Sequence, residues 1–140
     1  MAGLKAGHIY NTFPKMGDEW VASSVLFSFQ NEGASSLVNN LSVVQFVHRY
    51  IAYAVVIGFL ILFFVSKNLN TARLGKLLSH EKLFAINLLP WFIVMQFLLG
   101  VFTLMYSVPV WLGVIHQTGA FACFALLIFI LQTTSVKEKI

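Results

Sequence analysis

Two histidines in strongly apolar surroundings carry the chemistry that this sequence offers. His48 lies in QFVHRY, directly before the run IAYAVVIGFLILFFV, and His116 lies in WLGVIHQTGA. Ionisable residues are rare in membrane-compatible stretches and usually functional there, because an unpaired polar group in lipid is unfavourable. A neutral imidazole is also a common metal ligand. The pair therefore predicts a metal or cofactor site, with hydrogen bonding to neighbouring helices as the alternative.

The depth of these histidines and the lack of other ligands around them narrow the choice of cofactor. His48 lies roughly 12 Å along its apolar stretch, and His116 lies roughly 10 Å beyond Pro109, at 1.5 Å per helical residue. A zinc ion would normally require four ligands, but no Cys, Asp or Glu lies at that depth. Haem requires only axial ligands, because the porphyrin supplies four nitrogens. The pair thus favours haem iron held by His48 and His116.

Small residues flank both histidines at helical spacing, and they admit two interpretations. They would let a flat macrocycle lie close to each helix. Ordinary close packing of membrane helices through small residues explains them as well. The residues concerned are Ala52, Gly113, Gly119 and Ala120.

Arg49 follows His48 directly, near the outer end of the same stretch. Arginine binds carboxylates bidentately, so Arg49 is a candidate ligand for a haem propionate. The alternative is that its side chain extends along the helix to the membrane surface. His8 and His80 lie in predicted loops, and we interpret them as solvated or locally hydrogen-bonded side chains.

Three long apolar stretches must position these side chains. The 140-residue chain is 59% hydrophobic and only 10% charged, which is typical of an integral membrane protein rather than a soluble domain. Stretches 41–65, 83–106 and 110–131 are each long enough to cross about 30 Å of hydrocarbon as a helix. They lack the alternation of β-barrel strands. We therefore predict an all-α membrane domain over 41–140, preceded by an external segment over 1–40.

Local signals mark the ends of these spans. Asn39-Asn40 is a plausible N-cap for the first span, and Ser79 is a plausible cap for a helical turn in the polar connector, before Glu81 and Lys82. Pro90 should kink the second span, whereas Pro109 suits the first turn of the third.

The basic residues lie mainly at helix ends, so the net charge of +4 indicates membrane orientation rather than nucleic-acid binding. The positive-inside rule places the connector 66–82 and the C-terminus on the cytoplasmic or matrix side. The N-terminal segment and the 107–109 turn then face outward. The basic residues that decide this orientation are Lys67, Arg73, Lys76, Lys82, Lys137 and Lys139.

Three spans leave one face of a helical bundle uncovered, whereas four helices usually enclose a cofactor. Residues 1–7 read as the end of a helix that begins earlier. We therefore expect the three spans to form most of a four-helix haem-binding bundle, with a long external N-terminal loop and one helix missing.

The chain resembles the C-terminal half of haem A synthase, a membrane enzyme of cytochrome oxidase biogenesis. The resemblance covers nearly all of the sequence in order. Its most specific string is AGLKAGHIYNTFPKMGDEW at the N-terminus. The others are QFVHRYIA, QFLLGVFTLMYSVP and HQTGA.

The resemblance implies two similar four-helix halves that together oxidise a ring methyl of haem O to a formyl group. In the C-terminal half, positions matching His48 and His116 hold a haem b that relays electrons. The missing half would hold substrate haem O and a glutamate ahead of its first histidine, where this chain has Gln45. Alone, this chain should therefore be catalytically incomplete, and no catalytic residue is assigned to it.

The implied partners are the lipid bilayer, the missing N-terminal half, haem O synthase and cytochrome oxidase assembly proteins. The implied location is a bacterial plasma membrane or the mitochondrial inner membrane. A b-type haem membrane anchor that transfers electrons without chemistry of its own is the alternative function, because both functions need two intramembrane histidines.

Overall fold

The computed structural model describes residues 5–68 and 80–132, and its regular elements within those ranges are helices. A single isolated bridge joins Met16 and Glu19. The predicted all-α class is confirmed. The helices are α1 (Ser23–Glu32), α2 (Ser36–Asn39), α3 (Leu41–Asn68), α4 (His80–Met105) and α5 (Val110–Gln132), with 3₁₀ turns at Ala6–His8 and Gly33–Ser35.

Three of these helices are long and apolar enough to cross a membrane, as predicted: Leu41–Val65 within α3, and the whole of α4 and α5. α4 begins at His80, three residues before the predicted start of its span. Its 26 residues would extend about 39 Å at the usual helical rise. This exceeds the hydrocarbon thickness of about 30 Å, so we expect the ends of α4 to lie among the lipid headgroups.

α4 packs against both other long helices and joins them. On the α3 side, the Phe97 ring lies 5.8 Å from that of Tyr53 and 6.1 Å from that of Phe13. α5 leaves most of its surface exposed, including Trp111 and Phe121. This apolar surface is suited to lipid or to further helices. Completion of a four-helix bundle remains a prediction.

The structure bears out two of the predicted helix-end features and leaves two others as predictions. Asn40 caps α3, because its Oδ1 accepts hydrogen bonds from the backbone N–H of Ser42 (3.1 Å) and of Val43 (3.4 Å). α5 begins directly after Pro109. α4 continues through Pro90 without interruption, and the kink there stays a prediction. The proposed Ser79 cap lies outside the described residues.

The N-terminal segment folds onto the first turns of α3 and forms the main core of the described structure. Met16, Ala22, Val25 and Val43 are buried together, and Tyr10, Val21, Phe46 and Val47 pack around them. The segment that the sequence suggested as a long loop thus contains helices α1 and α2 and is packed against α3. Its position outside the membrane remains a prediction.

The tight turn between α4 and α5 is stabilised by backbone bonds and by the N-terminal segment. Ser107 and Val108 have φ angles of 60° and 54°, a region that β-branched residues rarely adopt. The Val108 N–H donates to the Thr103 carbonyl at 2.8 Å. Asn11 Nδ2 donates to Ser107 Oγ at 3.1 Å. The N-terminal segment therefore helps to fix where α5 begins, and hence where His116 lies.

Candidate cofactor site between the membrane helices

His48 lies in the second turn of α3, and its side chain is exposed. Within residues 5–68 and 80–132, no hydrogen bond to its imidazole is present. A polar ring inside a membrane-compatible helix is unfavourable without a partner. His48 is therefore available as a ligand.

His116 lies in the second turn of α5, is half-buried, and faces α4. Its Nδ1 lies 3.0 Å from the Nε2 of Gln96, and the same amide nitrogen also donates to the His116 backbone carbonyl. The imidazole packs on Gly100, where an added Cβ would lie 2.7 Å from His116 Cε1. The orientation of this ring is thus determined by two residues of α4.

The two histidines reach comparable depths along the bundle. Phe97 contacts Tyr53 on α3, and Gly100, about 4.5 Å further along α4, contacts His116. His48 lies about 7.5 Å before Tyr53 along α3. Because α3 and α4 are antiparallel, the step from Tyr53 back to His48 runs in the same direction as the step from Phe97 to Gly100. Their levels therefore differ by about 3 Å.

Arg49 is buried beneath the N-terminal segment rather than extended to the surface. Its Nη1 donates to the carbonyls of Thr12 (2.8 Å) and Lys15 (3.0 Å), and its Nη2 donates to the Tyr10 carbonyl (2.6 Å). Its Nε is buried without a partner in the described structure. Arg49 therefore clamps the segment Tyr10–Lys15 and retains free donors at Nε and at one N–H of Nη2.

Gln45 adds a second clamp one helical turn before Arg49. It is fully buried. Its Oε1 accepts from the Tyr10 N–H at 3.2 Å, and its Nε2 donates to the Tyr10 carbonyl at 2.9 Å. Both backbone groups of one residue are thus satisfied by one side chain, which fixes the N-terminal segment to the end of α3.

The small residues near His116 divide between the two interpretations given above. A Cβ at Gly119 would collide with Gln96 Oε1, so Gly119 serves close packing of α5 on α4. A Cβ at Gly113 would meet nothing within 4 Å, so the neighbouring turn on the His116 helix is open. Of these two glycines, only Gly113 leaves room for a macrocycle beside the histidine.

The described residues fit a haem better than a bare metal ion. Among them, no group of three or more His, Cys, Asp or Glu side chains could hold a metal. Two imidazoles suffice for haem iron, because the porphyrin supplies the remaining ligands. The unpartnered His48 ring, the open turn at Gly113 and the unpartnered Arg49 Nε all agree with such a group.

Sequence reasoning missed the roles of Gln45, Gln96 and Gly100. Gln96 is an isolated amide in the middle of an apolar helix, and such residues commonly bond to a neighbouring helix. Gly100 lies four residues later, on the same helical face. This spacing could have indicated a contact site on α4. The identity of its partner depends on helix rotation, which the sequence does not reveal.

The helices and the two intramembrane histidines define an all-helical integral membrane protein with a candidate cofactor site. A family model described as cytochrome oxidase assembly protein matches residues 1–128. The chain belongs to this family.

Similar proteins carry the name heme A synthase. The chain is 45% identical to the heme A synthase of Flavobacterium johnsoniae, over 96% of this chain and 38% of that protein. It is 34% identical to heme A synthase COX15 of Bos taurus, over 94% of this chain and 30% of that protein. The chain therefore spans 38% and 30% of the lengths of these two relatives. No solved structure matches it.

Proposed function

We propose that this chain carries the C-terminal half of a haem A synthase and holds a b-type haem between His48 and His116. The observation that carries the proposal is the placement of two imidazoles at comparable depth on two helices that both pack against α4. The names of the similar proteins support the activity.

In this proposal each histidine has a distinct supporting environment. His48 contributes an imidazole without a competing hydrogen bond, whereas His116 is held by Gln96 and Gly100. The free donors of Arg49 would bind a propionate. A b-type haem held by His48 and His116 would supply one-electron transfer. The site therefore suits electron relay, and oxidation of the haem O methyl group belongs to residues outside this chain.

The proposal includes a membrane orientation and partners. The outer N-terminal segment would cover the haem edge, and the C-terminus would face the cytoplasm or matrix. The bilayer, the N-terminal half with its substrate haem O, haem O synthase and cytochrome oxidase assembly proteins are the partners that this function requires.

An optical spectrum tests the haem assignment directly. The protein is expressed from its complete gene, purified in mild detergent and titrated with haem b, in parallel with His48→Ala and His116→Ala. We expect a low-spin haem signal in the parent protein. Loss of this signal, or its conversion to high spin, in each variant would assign the haem to His48 and His116. His80→Ala is the matched control, because His80 is exposed at the start of α4. Unchanged spectra in both site variants would refute the assignment.

A further inference from the structure

Gln96 directs its side chain from the middle of α4 onto the candidate ligand of α5. Its Nε2 lies 3.0 Å from His116 Nδ1 and also donates to the backbone carbonyl of His116. One amide thereby contacts both the ring and the backbone of the same residue. Two contacts from a single side chain fix the ring's rotation more tightly than one would.

Two glycines leave the space that this contact needs. A Cβ at Gly100 would lie 2.7 Å from His116 Cε1 and 3.3 Å from both ring nitrogens. A Cβ at Gly119 would overlap Gln96 Oε1. One glycine thus lies on each helix, opposite a member of the pair. The two helices approach closely at the point where Gln96 and His116 meet.

The hydrogen bond also determines which ring nitrogen can bind iron. Gln96 covers Nδ1, so Nε2 is the nitrogen left for a ligand. With the amide nitrogen donating, Nδ1 accepts and the proton of the neutral ring lies on Nε2. With Nε2 holding iron, the ring proton would lie on Nδ1. The Gln96 amide would then turn its oxygen to accept that proton, giving up its bond to the His116 carbonyl, and the net charge would not change.

We infer that Gln96 is the positioning residue of His116: its amide fixes the imidazole plane and selects Nε2 as the iron-binding nitrogen. The inference rests on the proposed function. Outer partners of ligating histidines orient the ring and increase its basicity as a ligand. Gln96 therefore tunes the haem potential as well as haem affinity.

Two substitutions with opposite expected effects test this inference. Gln96→Met removes the amide at similar length, and we expect about 10- to 100-fold weaker binding of haem b and a higher midpoint potential. Gln96→Glu supplies a stronger acceptor for the Nδ1 proton, so the midpoint potential should fall. Low-spin electron paramagnetic resonance g-values should shift in both variants, because they report the imidazole orientation. Thr103→Val is the control, since Thr103 Oγ1 donates only to Leu99 of its own helix in the described structure.

The results distinguish the role of Gln96 from the haem assignment on which it rests. Opposite shifts of the midpoint potential, with parental behaviour in the control, would support positioning by Gln96. Potentials that stay parental, or move in the same direction in both variants, would overturn it. If His116→Ala retains the parental low-spin signal, the haem proposal itself fails. If His116→Ala loses that signal while both Gln96 variants match the parent, only the role of Gln96 fails.

Discussion

At the scale of single residues, Arg49 exemplifies a buried cation whose partners are backbone carbonyls. Three carbonyls, those of Tyr10, Thr12 and Lys15, accept its hydrogen bonds. Hydrogen bonds to a charged donor are stronger than neutral ones, and a buried acceptor left without a donor is costly. Arg49 therefore contributes to folding of the N-terminal segment independently of any cofactor.

Arg49→Met should destabilise the protein by about 3 kcal/mol, because three charge-assisted hydrogen bonds would be lost while one desolvated charge is removed. The Thr12 carbonyl would lose its donor, whereas Gln45 and Thr12 Oγ1 still donate to the carbonyls of Tyr10 and Lys15. Trypsin should also cleave after the exposed Lys15 faster than in the parent. Thermal unfolding in detergent and timed proteolysis measure the two effects. Lys67→Met is the matched control, since Lys67 is an exposed cation near the other end of α3 that lies over Phe63. Equal behaviour of the two variants would contradict the clamp.

At the scale of elements, contact between α4 and α5 depends on glycines, which leave room for side chains of the facing helix. Gly100 accommodates the His116 ring and Gly119 accommodates Gln96. Close approach through small residues is a usual means of packing helices in lipid, where the hydrophobic effect does not drive association. Each glycine lowers helix propensity relative to alanine, so its position in the helix interior has a packing reason.

Gly100→Ala should displace the His116 ring, because the new Cβ would lie 2.7 Å from Cε1. We expect partial or complete loss of low-spin haem and a lower unfolding temperature. Gly58→Ala is the matched control in α3, where an added Cβ meets nothing within 4 Å. It should leave the spectrum unchanged and increase stability by up to about 1 kcal/mol. A Gly100→Ala spectrum equal to that of the control would argue against this packing.

At the scale of the whole molecule, side-chain burial differs between the two parts of the described structure. A compact core joins the N-terminal segment to the start of α3, whereas the long helices expose much apolar surface. This distribution agrees with a membrane solvent around the helices and water around the N-terminal segment. The orientation that we propose rests on the basic residues at the opposite ends of the spans.

Cysteine labelling in oriented vesicles tests that orientation. In a Cys123→Ala background, Asn31→Cys places a thiol on α1, and Lys67→Cys places one near the far end of α3. In vesicles with the outer membrane face exposed, a membrane-impermeant maleimide should label Asn31→Cys and spare Lys67→Cys. Detergent should make both thiols reactive, which controls for access. Labelling of Lys67→Cys alone would reverse the orientation.

The amino-acid sequence was sufficient to predict the class of this protein and its candidate site residues, His48 and His116. Three uninterrupted apolar stretches specify membrane helices, because a backbone in lipid must satisfy its own hydrogen bonds. Asn40 was identifiable as a cap for a local reason, since its side chain bonds to the next turn of its own helix. His48 and His116 stood out because ionisable groups are unfavourable in such stretches.

The contacts of those residues, by contrast, depend on how the helices pack together. The pairing of Gln96 with His116 and of Arg49 with residues 10–15 depends on helix rotation and chain reversal over 20 to 39 positions. Gly119 and Gly113 have the same residue type and the same three-residue offset from His116. They differ in their surroundings: Gly119 lies against Gln96 of α4, whereas an added Cβ at Gly113 would meet nothing within 4 Å. Sequence spacing fixes which positions share a face of one helix, but the neighbouring helix that the face meets is a property of the packed bundle.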